Sequence, residues 1–513
     1  MARYKPYDLS QAKFIAVSYA EQIVPGSFEH TLNELIEHEL DLSVFEDRYL
    51  NDQTGRPAYH PAVLLKIVLY GYYRGIISSR KLEEACRRNV VFMALSADAQ
   101  PHFTTIAAFV SVLENEIVSL FRDVLLYCTE LGLVGKEHFA IDGCKLPSNA
   151  SKQWSGTHEE LAAKQKKMDR AAREIVRRHR ARDTQETSSP AAEQDEKKLA
   201  TYRAKIKKIK DFLATAARNI GPSGQERKSN ITDPDSAKMT TSHGVIQGYN
   251  GVAVVDERHQ IVVHAEARGE GQETHLLEPM VEAARETFAA IGEAGDIFAQ
   301  ATLSADSGYH SKQSMEYVSE AGLDAYVADR ELRRRDPAFA AAGRHKERHR
   351  KEERRRSGRT ARKRFTPADF IYDEAKQTCI CPAGHKLYRS GVELETDGLR
   401  SARFKAPKSA CGPCELRGQC LRHPERSPQR QVAFFKGRAS GRSPIEAMKQ
   451  KIDSVVGRLI YGKRMGTVEP VFANIQNKGL RRFTLRGQGK VSTQWRLFLL
   501  VHNVEKIAHF APG

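Results

Sequence analysis

No stretch of this 513-residue chain approaches the roughly 18 consecutive apolar residues that a membrane helix requires. The opening MARYKPYDLSQ lacks the apolar core of a secretory signal, so export is not expected. Cysteine is sparse, with eight residues, and five of them fall between 379 and 420. A disulfide framework is therefore not expected in a reducing compartment. With 40% hydrophobic and 28% charged residues, the chain is neither wholly disordered nor fibrous. What remains is a basic cytoplasmic protein whose length predicts three to four domains of about 150 residues each.

Charge of one sign is in excess, and it is concentrated. Lys plus Arg total 81 against 64 Asp plus Glu, a net charge of +17. Residues 151–230 carry 20 basic and 11 acidic side chains, and residues 330–364 carry 16 and 5. The rest of the chain is close to neutral. Two basic blocks of this kind fit a polyanionic partner, because Lys and Arg that neutralise phosphates release condensed counterions. Neither block has the bulky apolar face of an interfacial helix, so nucleic acid is favoured over a membrane surface.

Apolar residues at helical spacing (Leu32, Leu35, Ile36, Leu40) and the run HPAVLLKIVLYGYYRG at 60–75 make residues 1–135 a helical N-terminal domain. Several short helices there suit either a DNA-binding head or a plain scaffold. HFAIDGCKL (138–146) reads as a strand, and a charge-rich helical hairpin follows within 155–230. GYNGVAVVDE (248–257) and QIVVHAEARG (260–269) read as a β-hairpin. A helix at 276–292, a strand in ATLSADSGY (301–309), a helix at 311–322 and the strand DAYVAD (324–329) then alternate. The fold class expected is α/β. A mixed sheet of RNase H-like strand economy over 136–329 would be completed by a helical part at 441–513. An Arg-rich spacer and a Cys-rich insertion occupy 330–440.

Asp142 ends the apolar run HFAI, and Asp306 ends ATLSA; each has a glycine within two residues. A lone Asp at such a place is more often a turn or cap residue, but two at equivalent strand ends are better explained by a shared cation. Glycine beside each would let a bulky ligand approach. A third carboxylate, Glu469, lies in YGKRMGTVEPVFANIQNKGLRRFTLRG (461–487), beside the apolar face of Val468, Val471, Phe472 and Ile475. Thr467 as a cap and Pro470 in the first turn place Glu469 near a helix N-terminus. Lys463, Arg464, Lys478, Arg481, Arg482 and Arg486 surround it. Three hard oxygen ligands suit Mg²⁺, and two ions about 3.5–4 Å apart suit phosphoryl transfer.

The cysteines read CICPAGHKLY…ACGPCELRGQCLRHP. Cys411 and Cys414, spaced C-x2-C, suit tetrahedral Zn²⁺, with Cys381 and Cys420 as further ligands and Cys379, His385 or His423 as alternatives.

Taken together, SRKLEEACRRNVVFMAL, FAIDGCKL, TDPDSAKM…GYNGVAVVD, LSADSGYHS, the cysteine-rich stretch, RMGTVEPVFANIQNKGLRRFTLRG and WRLFLLVHNVEKI occur in collinear order. In that order they resemble the DDE transposases of bacterial insertion sequences, in the group with a Tyr-Arg-Glu-Lys type signature. The resemblance implies an RNase H-like core with Asp142, Asp306 and Glu469 as the catalytic, metal-holding triad. It places Tyr461 and Arg464 at the signature's Tyr and Arg, on DNA together with Lys478, Arg481, Arg482 and Arg486. Four residues rather than three separate Arg464 from Glu469, and Gln476 stands where the signature has Lys.

The activity implied is binding of terminal inverted repeats, with Mg²⁺- or Mn²⁺-dependent strand cleavage and strand transfer. It implies a homodimer or higher assembly on transposon ends and target DNA, in the bacterial cytoplasm at the nucleoid. A structural Zn²⁺ in the cysteine insertion is common to such proteins. Two other readings share these residues. One is a catalytically inactive DNA-binding protein derived from a transposase. The other is an RNase H-like nuclease acting on RNA, which would need to recognise 2′-hydroxyls.

Overall fold

Strand β1, His138–Pro147, runs through the middle of a mixed sheet, and its burial accounts for its composition. Phe139, Ala140 and Ile141 are fully buried, as a strand covered on both faces requires. The computed structural model describes residues 16–48, 57–183, 190–221, 224–241, 244–337, 364–391, 394–396, 399–436 and 443–511. Within these, the chain divides into two compact units, Met1–Asp329 with Ser454–Gly513, and Arg330–Asp453. Most of the Arg-rich block at 330–364 lies outside the described residues.

In the larger unit, β2 (Ser155–Gly156) and β3 (Ser229–Asn230) form a two-residue ladder of their own. The main sheet is completed by β4 (Ala237–Thr241), β5 (Gly244–Asp256), β6 (Val262–Arg268), β7 (Thr302–Ala305) and β8 (Asp324–Val327). Strand β5 pairs antiparallel with β1 along one edge, and with β4 and then β6 along the other. On the far side of β1, β7 and β8 continue in parallel. The helices Leu277–Ala290 and Lys312–Glu320 connect β6 to β7 and β7 to β8, as parallel neighbours demand. The hairpin expected at 248–269 is β5–β6, with β5 beginning four residues earlier than expected, at Gly244.

Two helices, His158–Asp183 and Pro190–Thr215, leave the sheet between β1 and β4 and pack on each other. Leu161, Ile209 and Phe212 form a small core where they meet. The segment expected as a helix from 103 onward is two helices, Phe103–Ser111 and Glu116–Glu130. The first is capped by His102, whose Nδ1 accepts from Thr104 N–H, and not by a threonine.

The last helix, Gln488–Phe510, ties the unit together. Asn503 acts as an extra sheet partner: its Nδ2 donates to Val262 O (2.8 Å), and its Oδ1 accepts from Val262 N (2.9 Å). Trp495 Nε1 donates to Val252 O at 3.0 Å. Tyr72, on the N-terminal helix Pro61–Tyr73, stacks on Phe498 with ring centroids 4.5 Å apart. The N-terminal helices therefore share a core with the sheet.

The helix carrying Glu469 differs from expectation. It runs from Val455 to Asn477 and is capped by Ser454, whose Oγ accepts from Gly457 N, so Pro470 lies deep inside it. Thr467 is buried and donates to Lys463 O instead of capping. A mid-helix proline removes the hydrogen bond to the carbonyl four residues earlier and crowds it. Here that carbonyl belongs to Gly466, and Gln260 Nε2 donates to it at 3.0 Å. The orphaned acceptor is thus satisfied from outside the helix, which lets the helix continue.

In the smaller unit, β9 (Ile371–Asp373), β10 (Thr378–Ile380), β11 (Lys386–Arg389), β12 (Leu394–Thr396), β13 (Leu399–Lys405) and β14 (Gln431–Lys436) form an antiparallel sheet. Its core includes Phe370, Cys379, Leu387 and Phe404. Among the described residues no single helix is long and apolar enough to cross a membrane.

Candidate active site

The parallel register sets Ile141 beside Ala305, so the residues that follow, Asp142 and Asp306, come where the β1–β7 pairing stops. Asp306 follows the end of β7 as expected, but Asp142 lies inside β1, which runs on to Pro147 because it stays paired with β5. Alternation along a strand turns Asp142 to the face opposite Ile141. The helix Val455–Asn477 packs against β1 and β7. From this helix Arg464 donates to Asp142 Oδ2, with only 10% of the Arg464 side chain and 16% of the Asp142 side chain exposed. Burial pushes the Asp142 carboxyl up to about 6; Arg464 opposes the shift, and Asp306 and Glu273 add to it. Asp306 Oδ1 accepts from Gly308 N–H at 2.6 Å, which fixes its turn.

The two neighbouring glycines are needed, for a reason the sequence did not reveal. A Cβ on Gly143 would lie 2.6–3.0 Å from the amide of Asn250. A Cβ on Gly308 would collide with Glu273 and stand 2.9 Å from Asp306 Oδ1. The space each glycine leaves is filled by a protein side chain, not kept open for a ligand. Asn250, fully buried on β5, in turn donates to Glu273 Oε1 at 2.8 Å, and Lys145 Nζ lies 3.4 Å from the same oxygen. Sequence reading missed Glu273, Asn250, Lys145 and Tyr309; only the glycines hinted at them.

Glu469 is not brought to the two aspartates in this structure. It is exposed, while Arg464, Val468 and Val471 on the same helix are buried. Five residues of α-helix separate Glu469 from Arg464 by about 140° of rotation. Among the described residues, no group of three or more His, Cys, Asp or Glu side chains is arranged to hold a metal ion.

The expected DNA-binding residues divide into two sets. Tyr461 lies under Arg464, whose guanidinium carbon is 5.7 Å from the ring centroid. Lys478 is buried, paired with Glu505 (2.9 Å) and set over the Tyr73 ring, so its place is structural. Arg464 is likewise buried and paired. Arg481, Arg482 and Arg486 are exposed. Arg482 donates to Ser148 O (3.1 Å) and Arg486 to Asn149 O (2.8 Å), which fastens them to the loop leaving β1 a few residues past Asp142. Between the hairpin helices, the exposed Arg173, Arg177, Arg180, Arg203, Lys207 and Lys210 line one groove.

In the smaller unit Cys381, Cys411, Cys414 and Cys420 line one small cavity together with His385. Burial raises the Cys420 thiol; Arg430 opposes the rise, and the other three cysteines add to it. Cys379 points instead into the core.

The chain matches the Transposase DDE domain model over residues 380–508 and the Transposase domain (DUF772) model over residues 18–111. Together these matches indicate a DDE-type transposase of an insertion element. The first takes in the cysteine cavity, Arg464 and Glu469. No curated protein matches the chain.

Proposed function

We propose that this transposase binds the terminal inverted repeats of its element and catalyses divalent-metal-dependent DNA strand cleavage and strand transfer. The observation that carries the reading is the placement of Asp142 and Asp306 directly after the last paired residues, Ile141 and Ala305, of the parallel strands β1 and β7. The strand order β6–β5–β1–β7–β8, antiparallel on one side of β1 and parallel on the other, supports an RNase H-like core. Asp142 and Asp306 would hold Mg²⁺, or Mn²⁺, and their donor chemistry fits: hard carboxylate oxygens beside the unpartnered hydroxyl of buried Tyr309. When bound, two such ions supply charge stabilisation to both the attacking and the leaving oxygen of an in-line displacement.

The protein's own part is to position and neutralise. Arg464 holds Asp142 in place, and Arg481, Arg482 and Arg486 would take the phosphates of a duplex laid past the end of β1. The groove between the hairpin helices offers a second backbone-binding surface. Glu469 is the third acid that the resemblance implies. It would have to turn toward the aspartates to act with them. A second reading, a DNA-binding protein without cleavage activity, is favoured by that exposed Glu469 and by the guanidinium on Asp142.

The four thiols around one cavity are of the right kind for a structural Zn²⁺, although they are not drawn into a ligand arrangement. One zinc per chain after dialysis, lost in Cys414→Ser, is the expected result.

The test is cleavage of the element's end DNA with Mg²⁺. Wild type should cut, whereas Asp306→Ala and Glu469→Ala should bind DNA and not cut. Cutting by Glu469→Ala removes that residue from the site. Tight binding without cleavage by wild type selects the DNA-binding reading.

A further inference from the structure

Beside Asp306 the fold places a second buried acid, Glu273, in the loop between β6 and the Leu277–Ala290 helix, 7% exposed. One of its oxygens is held by Asn250 and Lys145. The other, Oε2, occupies the room that Gly308 leaves, beside Asp306 Oδ1. Three carboxylates, on Asp142, Asp306 and Glu273, are thus answered by two cations, Arg464 and Lys145.

Two fully buried polar atoms at this cluster have no hydrogen-bond partner among the described residues. They are the Tyr309 hydroxyl and Asn250 Oδ1. The Tyr309 phenol is held far up by burial, and the carboxylates of Glu273, Asp142 and Asp306 all add to the effect, which places its oxygen among them. An unmade hydrogen bond at a buried hydroxyl costs roughly 1–3 kcal/mol. Two such atoms beside surplus negative charge are partners that a hydrated cation would take.

We propose that Glu273 is a divalent-cation ligand of this site, acting with Asp306 and Asp142, and that Asn250 and Lys145 hold its carboxylate in position. The inference rests on the reading that Asp142 and Asp306 hold the catalytic metal. Mg²⁺ keeps several of its waters when bound, and those waters would give the Tyr309 hydroxyl and Asn250 Oδ1 their partners. The three acids do not yet enclose a point, because Arg464 holds Asp142; an entering cation must compete with that guanidinium.

Mn²⁺ binding to the full-length chain without DNA, followed by loss of the free-ion electron paramagnetic resonance signal, tests this. Glu273→Gln keeps the acceptor for Asn250 and removes the charge. It is expected to weaken Mn²⁺ binding by at least about tenfold, the lower end of what even outer-shell partners of a metal cost. Asp142→Asn and Asp306→Asn are expected to do the same. If the two aspartate variants lose Mn²⁺ and Glu273→Gln binds it as wild type does, the inference falls and the reading of the site stands. If the aspartate variants bind Mn²⁺ normally, the reading itself falls. Should Glu273→Gln fail to fold, Glu273→Asp keeps the charge facing Lys145 and withdraws the oxygens from Gly308. The same weakening is expected there, and unchanged affinity overturns the inference.

Discussion

Arg464 reaches Asp142 across 322 residues of chain, and the pair fastens the helix Val455–Asn477 to β1 where its pairing with β7 stops. Burial alone would keep the Asp142 carboxyl protonated up toward neutral pH, and the guanidinium pulls it back to about 6. Arg464→Ala removes that pull, so the carboxyl should titrate at higher pH and be less ionised at neutrality. Metal uptake needs the carboxylate. The acid limb of the Mn²⁺-binding profile should therefore move to higher pH in Arg464→Ala, while above that limb, with no guanidinium to compete, affinity should match or exceed that of wild type. A limb that stays in place would mean that Asp142 does not limit binding.

Gly143 is a position at which a single methyl group should harm the site through its neighbour. Alanine there would press on the Asn250 amide, and Asn250 is what holds Glu273. Overpacking of this kind costs typically 1–3 kcal/mol. Gly143→Ala should therefore lower the urea midpoint modestly and reduce DNA cleavage out of proportion to the fraction unfolded. Full activity in the folded variant would show that the Asn250 contact is slack.

Lys478 and Arg481 are three residues apart and should respond in opposite ways. Lys478→Ala leaves Glu505 without its partner in a buried setting, where breaking an ion pair costs about 3–5 kcal/mol. Its effect should appear in unfolding free energy. Arg481→Ala removes an exposed cation on the rim and should leave stability alone, while lowering the magnitude of the slope of log binding constant against log salt by about one. The two measurements together separate cations that hold the fold from those that meet DNA.

Much of this architecture could be read from local pattern. The alternating run of β6, the continuous apolar run of β5 and the aspartate that follows β7 were visible because each depends on its own few residues. Asp142 was expected at a strand end, but pairing with the distant β5 carries β1 on to Pro147. The start of the Glu469 helix was not, because Pro470 and Thr467 imitate a first turn. Only a distant side chain, Gln260, supplies the donor that keeps a proline tolerable in mid-helix. Glu273 was invisible for a related reason. Nothing near it in sequence marks it, and its approach to Asp306 depends on Gly308, 35 residues on, and on Asn250 from a different strand. The apolar face of Val468, Val471, Phe472 and Ile475 was legible from helical periodicity, yet which side of it Glu469 would occupy depended on where the sheet lies.

His502 should make the fold acid-sensitive. Its Nε2 pairs with Gln260 O at 2.9 Å and its Nδ1 with Asn474 Nδ2 at 2.9 Å. Asn474 Nδ2 also donates to Glu505, so the Asn474 amide faces the ring with its donor and His502 Nδ1 must accept. That arrangement suits only the neutral imidazole. Burial lowers its pKa from 6.5 to about 4. The unfolded chain therefore binds a proton between pH 6.5 and 4 that the folded chain refuses. The stability tied to the neutral ring is complete above 6.5 and is lost as pH falls toward 4. By linkage the loss at pH 5 relative to neutral pH is about 2 kcal/mol for this residue. His138, buried between Thr302 and Ser304 and lowered to about 4 in the same way, should add a similar amount. Gln at 502 offers a donor and an acceptor without a titrating group. His502→Gln should accordingly narrow the gap between urea-unfolding free energies at pH 7 and pH 5 by about 2 kcal/mol, with the His138 share remaining. An unchanged gap would mean that the ring carries its proton inside the fold and that Asn474 is turned the other way.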